Sequence, residues 1–104
     1  MKKIKTSKKE KFDCELVFKA LSSGLRRQIL VCLSQKAGPM QAGEIVEQLS
    51  CVWSTATEHL QALEMAGLVT VHKDVHDGRV QIYEIAPERL LVVQKWLDDV
   101  RGSS

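Results

Sequence analysis

The 104-residue sequence predicts a mainly α fold that carries one β-hairpin towards its C-terminal end. Three observations predict it. Apolar residues recur at helical spacing through four successive segments between Phe12 and Ala66. The period then shortens to about two on either side of Asp77-Gly78, a dipeptide that favours a hairpin turn. Helical spacing returns after Pro87, a residue suited to the first turn of a helix because its missing N–H is not needed there.

Residues 1–11 hold six lysines (Lys2, Lys3, Lys5, Lys8, Lys9 and Lys11) against Glu10 alone, in a chain whose net charge is only +2. They read as a flexible basic arm on a mildly acidic body, either solvated or laid along nucleic-acid phosphates. From Phe12 to Leu21 the apolar side chains Phe12, Cys14, Leu16, Val17, Phe18, Ala20 and Leu21 point almost all round a helix. A short helix with no dry side is expected to be buried twice, against its own core and against a partner. Ser22, Ser23 and Gly24 interrupt it, and Ser23 is placed to cap the second helix, about 24–36, which carries Leu25, Ile29, Cys32 and Leu33 on one face. Ala37, Gly38 and Pro39 end that helix.

Gln41–Leu49 places Ala42, Ile45, Val46 and Leu49 on one side of a third, short helix. After a break at 50–53, a fourth runs from Ser54 to Ala66 with Ala56, Leu60 and Leu63 inward, and Gly67 stands where a left-handed C-terminal residue belongs. The strands are expected at Leu68–Lys73 and Arg79–Ile85. A closing helix follows from Pro87 to about Arg101, with Leu90, Val93, Leu97 and Val100 in one stripe and Val92 and Trp96 beside it. Residues 102–104 read as a flexible tail. No internal repeat or linker divides 12–101, which is expected to be one domain.

Four helices, a hairpin and a closing helix make the plan of a winged helix-turn-helix. In such a unit the second helix of the turn pair enters the DNA major groove, and the hairpin, or wing, reaches the neighbouring backbone or minor groove. Spare apolar surface on the first and last helices predicts a two-fold homodimer through Phe12, Leu16, Val93, Trp96, Leu97 and Val100. On the recognition helix, Ser54, Thr55, Glu58 and Gln61 face outward with Thr57 at the edge. Hydroxyls near its start suit phosphates and base edges, Gln61 suits adenine, and Glu58 suits a cytosine amine. This helix has two glutamates and no Lys or Arg between Ser54 and Met65. Affinity for double-stranded DNA must therefore come from Arg79 and Lys73 on the wing, from the arm, and from Arg26 and Arg27. The two last suit phosphate contacts or structural ion pairs equally.

Other classes find little support. No apolar run approaches the roughly 18 residues that span a bilayer, and no apolar segment follows the lysines as in a secretory leader, so a cytoplasmic protein without membrane contact is expected. There is no glycine-rich phosphate loop, glycine-flanked nucleophile or paired carboxylate site, so neither enzyme activity nor a cofactor is expected. His59, His72 and His76 lack ligand partners at helical spacing, and His59 reads as a packed or hydrogen-bonding residue rather than a metal ligand. Three cysteines do not make a disulfide framework. Cys32 reads as a small core residue, whereas Cys14 and Cys51 leave open a thiol switch across a dimer, or an arsenite site together with Cys32.

Three stretches in order resemble the ArsR/SmtB family of repressors: "FKALSSGLRRQIL" (18–30), "AGEI" (42–45) with "STATEHLQALEMAGLV" (54–69), and "DGRVQIYEIAPERLLVVQKWL" (77–97). The resemblance runs from Val17 to Arg101, about four-fifths of the chain. It implies a homodimeric repressor that blocks a promoter at a palindromic operator. The family's soft-metal Cys-x-Cys positions fall on Gln41 and Gly43 here. The final helix, which holds the zinc ligands of other members, has Glu88, Asp98 and Asp99 but no histidine. Members that sense persulfides use a final-helix cysteine that this chain lacks. The resemblance is therefore to a metal-independent subgroup, with its effector unknown. A cysteine-based metalloid or redox sensor of the same fold is one alternative. Another is a protein-interaction module in which the acidic helix meets a protein.

Overall fold

The computed structural model describes residues 14–36 and 38–102, so the basic arm, Phe12 and the last two tail residues lie outside the described residues. Helix α1 is helical over 14–20. Ser23 then starts α2 (Gly24–Gln35), its side chain accepting from the Arg26 N–H at 3.3 Å. Strand β1 (Met40–Gln41) leads straight into α3 (Ala42–Leu49), and α4 (Trp53–Met65) follows after a three-residue turn. The chain then forms β2 (Val69–Lys73) and β3 (Gln81–Ile85), a 3-10 turn over Pro87–Leu90, and α5 (Leu91–Val100).

One core holds these pieces together. Ile29, Leu30, Cys32 and Leu33 of α2 meet Ala42 and Ile45 of α3 and Leu60 and Leu63 of α4, as the helical spacing predicts. Val17 and Ala20 of α1 close one side, and Met40, Leu68, Val69 and Tyr83 close the other. Among the described residues, no buried side-chain polar atom lacks a hydrogen-bond partner.

Strand β1 was not expected from the sequence. The sheet is antiparallel in the order β1-β3-β2, with Met40 opposite Tyr83 and Gln41 opposite Ile82. Two residues are too few to show a period, yet they join the entrance of the helix-turn-helix to the wing. The wing itself starts one residue late on β2 and two late on β3, with Val69 paired to Ile85 and Lys73 to Gln81. Asp77-Gly78 lies in the hairpin turn, as expected. The Asp74 N–H bonds the Val80 carbonyl and the Val80 N–H bonds the Asp77 carbonyl, both at 2.9 Å, so Asp77 opens a four-residue turn within a longer loop. Gly78 does not use the left-handed backbone that a two-residue loop would demand of it.

The closing helix differs as well. Pro87 opens a 3-10 turn rather than an α-turn, and α-geometry begins only at Leu91. The Ala86 N–H still bonds the Leu68 carbonyl at 2.8 Å, holding the chain on the sheet until the proline releases it into a tight turn.

At the end of α4 the expected glycine does its predicted job. Gly67 has φ of +78°, its N–H bonds the Glu64 carbonyl, and the Leu68 N–H bonds the Leu63 carbonyl, each at 2.9 Å. This double bond pattern satisfies carbonyls that the helix end would otherwise orphan, and Leu63 and Leu68 lie fully buried beside it. A Cβ at Gly67 would also stand 2.9 Å from Arg89 Nε. Gly67→Ala is expected to lower the unfolding free energy by about 1–2 kcal/mol in urea denaturation. Gly78→Ala, with ordinary backbone and no atom within 4 Å of the added carbon, is expected to stay within about 0.5 kcal/mol of the parent.

Candidate nucleic-acid interface

The turn between α3 and α4 is made by Ser50, Cys51 and Val52. Ser50 adopts left-handed backbone (φ 51°, ψ 45°), and the Cys51 N–H reaches the Val46 carbonyl at 3.3 Å. That conformation costs a non-glycine residue about 1 kcal/mol, and nothing in the residue type announces it. The start of α3 is fixed by the Glu44 carboxylate, which accepts from the Gln41 N–H at 2.9 Å and pairs with Lys36 Nζ at 3.3 Å. The backbone bond first, and Lys36 second, hold the Glu44 carboxyl below its ordinary range.

On α4, burial of Ala56, Leu60 and Leu63 turns Ser54, Glu58 and Gln61 to solvent, with Thr55 and Thr57 half-buried. Thr57 Oγ1 donates to the Ser54 carbonyl at 3.1 Å, so that hydroxyl is engaged within the helix. Thr57, Glu58 and Gln61 border a cleft of about 570 Å³ whose opposite wall includes His72, Lys73 and Gln81 of the wing. Ser54 and Thr55 do not line this cleft. Glu64 does, close to Tyr83, whose phenol is pushed up by burial first and by Glu64 second while donating to Gln81 Oε1 at 3.0 Å. The helix side of the cleft is acidic and the wing side basic.

A second cleft, of about 500 Å³, lies between the helix-turn-helix and the wing and is bordered by Gly43, Trp53, Thr57, Arg79 and Gln81. Trp53 is 57% exposed and Val52 is 65% exposed. Reading the sequence as a break at 50–53 passed over both, although two large apolar residues directly before Ser54 were a visible signal.

The four cations proposed for phosphates divide into two kinds. Arg79 stands at the wing tip with its side chain 91% exposed, bonded to Asp77 through Nε at 3.1 Å and Nη2 at 3.3 Å. These bonds hold the Asp77 carboxyl below its ordinary range. Lys73 is likewise exposed on the wing. Arg26, by contrast, donates from Nε to His59 Nδ1 at 2.9 Å, a part-buried bond joining α2 to α4. Arg27 Nη1 donates to the Leu21 carbonyl at 2.7 Å, just past the end of α1. Both arginines are engaged within the fold, and His59 is the hydrogen-bonding residue its sequence context suggested.

Helix α5 buries none of its residues fully. Leu91, Trp96, Leu97 and Val100 are exposed, and Trp96 meets Phe18 of α1 edge-to-face at 5.7 Å. Leu16 and Val93 instead pack partly against the core of the same chain, leaving less surface for a partner than the sequence suggested.

The cysteines are all free thiols, and Cys32 is buried with Sγ 3.8 Å from Met40 Sδ; burial pushes its thiol up. Among the described residues, no group of three His, Cys, Asp or Glu is assembled to hold a metal ion, so Cys14, Cys32 and Cys51 do not converge within one chain. The reason is topological: they sit on α1, on the inner face of α2 and in the α3–α4 turn. Among the described residues, no helix is long and apolar enough to cross a membrane.

Comparison with known proteins places this geometry among regulators. The sequence model of the MarR family matches residues 26–80, from α2 to the wing turn. The HTH-type transcriptional regulator YceK of Bacillus subtilis (strain 168) is 34% identical over 68 residues, 65% of this chain and 68% of YceK. An NMR structure of a homodimeric winged helix-turn-helix DNA-binding domain from Mycobacterium bovis, a possible ArsR-family transcriptional regulator, is 32% identical with a TM-score of 0.65, covering 86% of this chain and 79% of that one. An ArsR-like transcriptional regulator from Rhodococcus sp. RHA1 is 26% identical with a TM-score of 0.71, covering 89% of this chain and 83% of that one.

The Arg26–His59 bond predicts energetic coupling between α2 and α4. Arg26→Ala and His59→Ala are each expected to cost about 1 kcal/mol in urea denaturation, and the double variant no more than about either alone.

Proposed function

The chain belongs to the MarR family and is a DNA-binding transcriptional regulator built on a winged helix-turn-helix, and from that premise we propose that it is a homodimeric repressor acting at a palindromic operator. The observation that carries this reading is the cleft that sets the outer face of α4 against the basic strand of the wing. A helix in the major groove and a wing on the flanking backbone need that adjacency. In the reading, Ser54, Thr55, Thr57, Glu58 and Gln61 meet base edges and nearby phosphates, while Arg79 and Lys73 supply the salt-dependent affinity that α4 lacks. Arg26 and Arg27 each spend one guanidinium N–H on an internal bond, which orients the side chain and leaves its other donors for phosphates.

The dimer rests on the exposed apolar strip of Trp96, Leu97 and Val100 on α5, with Phe18 of α1 beside it. Such a strip is unusual on a soluble monomer, and the Mycobacterium bovis neighbour is itself homodimeric. The wider resemblance to the ArsR/SmtB family supports assignment to its metal-independent subgroup. Gln41 and Gly43 stand where soft-metal thiolates would be needed, and carboxylates alone bind such ions poorly. The domain spans 12–101, the arm of residues 1–11 follows phosphates, and the protein works in the cytoplasm.

Fluorescence anisotropy on duplexes from the region upstream of its own gene, across a salt series, tests the reading. Sequence-preferring binding with a steep salt slope is expected; a folded dimer that prefers no fragment overturns it and favours the protein-interaction alternative. Arg79→Ala and Lys73→Ala should each weaken binding to all sequences and flatten the salt slope by about one, whereas Gln61→Ala should relax base preference. Asp77→Asn, which releases the Arg79 guanidinium, is expected to tighten binding about two- to fivefold at low salt.

A further inference from the structure

We propose that Val52 and Trp53 form an apolar reader of thymine methyl groups at the edge of each half-site. This rests on the DNA-binding reading above and adds a specificity-determining pair to it.

Three observations support the pair. Val52 and Trp53 are 65% and 57% exposed and take no part in the core, which α4 completes with Leu60 and Leu63. Second, the indole has a defined seat. Its Cζ3 lies 3.6 Å from where a side chain at Gly43 would begin, so one edge of the ring rests on α3 while the remainder stays open. Third, Val52 caps α4 and Trp53 opens it, directly before Ser54, and Trp53 borders the cleft that Arg79 and Gln81 of the wing also line. It belongs to a different surface from Trp96, which packs on Phe18.

Chemistry selects the occupant. The first residues of the second helix in a helix-turn-helix face base edges in the major groove. Those edges offer hydrogen-bond donors, acceptors and one apolar group, the C5-methyl of thymine. An aliphatic side chain and an indole can dehydrate only that group to advantage. The indole N–H can add a bond to a neighbouring base or phosphate acceptor. This also gives α4 a way to discriminate without a cation, since apolar contact with a methyl is indifferent to Glu58 and Glu64.

The test uses the full-length chain and selection from a random duplex library, followed by anisotropy on the enriched duplex. Thymines are then replaced singly by deoxyuridine, which removes the methyl and leaves every hydrogen-bonding group in place. Uracil is expected to weaken the parent about fourfold at one or two positions per half-site, the value of one buried methyl group. Trp53→Ala should lose affinity for the thymine duplex and no longer distinguish uracil at those positions, and Trp53→Phe should keep most of the discrimination. Val52→Ala, a change at an exposed residue, gives a second measurement should Trp53→Ala prove unstable by circular dichroism. Enrichment of a sequence with no loss on any uracil substitution, or full thymine sensitivity in both alanine variants, overturns the proposal alone. Selection that enriches no sequence overturns the DNA-binding reading and this proposal with it.

Discussion

Burial of Ala56, Leu60 and Leu63, each without solvent exposure, fixes the rotation of α4 about its own axis. A helix turns about 100° per residue, so three inward positions leave no choice about which side chains face outward. Ser54, Glu58 and Gln61 are outward for that reason alone. Leu68 and Val69 carry the same core directly into β2, so helix and wing share one packed interior. The outer face of α4 is thus a by-product of how the core is filled.

In the proposed reading, that face and the wing divide two tasks. The wing offers exposed cations, Arg79 and Lys73, and α4 offers hydrogen-bonding and apolar groups with acidic neighbours. Electrostatic attraction to phosphate is indifferent to sequence, while contacts to base edges are sensitive to it. A helix poor in positive charge gains little from nonspecific DNA, which sharpens the contrast between right and wrong sites. Arg26 and Arg27 also serve the frame. One ties α2 to the recognition helix through His59, and the other closes the chain end of α1 at Leu21.

Helix faces were legible in the sequence because α2, α3 and α4 each bury one stripe, and a stripe leaves a period. The Ser23 cap and the Gly67 reversal were legible because both depend on a residue's own chemistry. What escaped was set by tertiary pairing. Strand β1 is two residues whose partners lie some forty positions away in β3, and Ser50 is left-handed because the turn requires it. The hairpin turns at Asp77-Gly78 as expected, but β3 starts late because the Asp74–Val80 bond, not a strand pairing of Arg79, closes the ladder. At the site, the outer residues of α4 followed from its inner ones, but sequence could not decide between internal and external partners for Arg26 and Arg27. Trp53 leaves no periodic trace because it stands at the junction of two helices, where no stripe continues through it.

Strand β1 has a mechanical consequence. Because Met40 and Gln41 are laddered to Tyr83 and Ile82, the entrance of the turn motif is tied directly to the wing. Each protomer is then one jaw of a caliper whose shape is set at folding. In the proposed dimer the adjustable part is the joint, where α1 and α5 of the two copies meet. In that proposed assembly the distance between the two recognition helices is set at the seam rather than within either jaw.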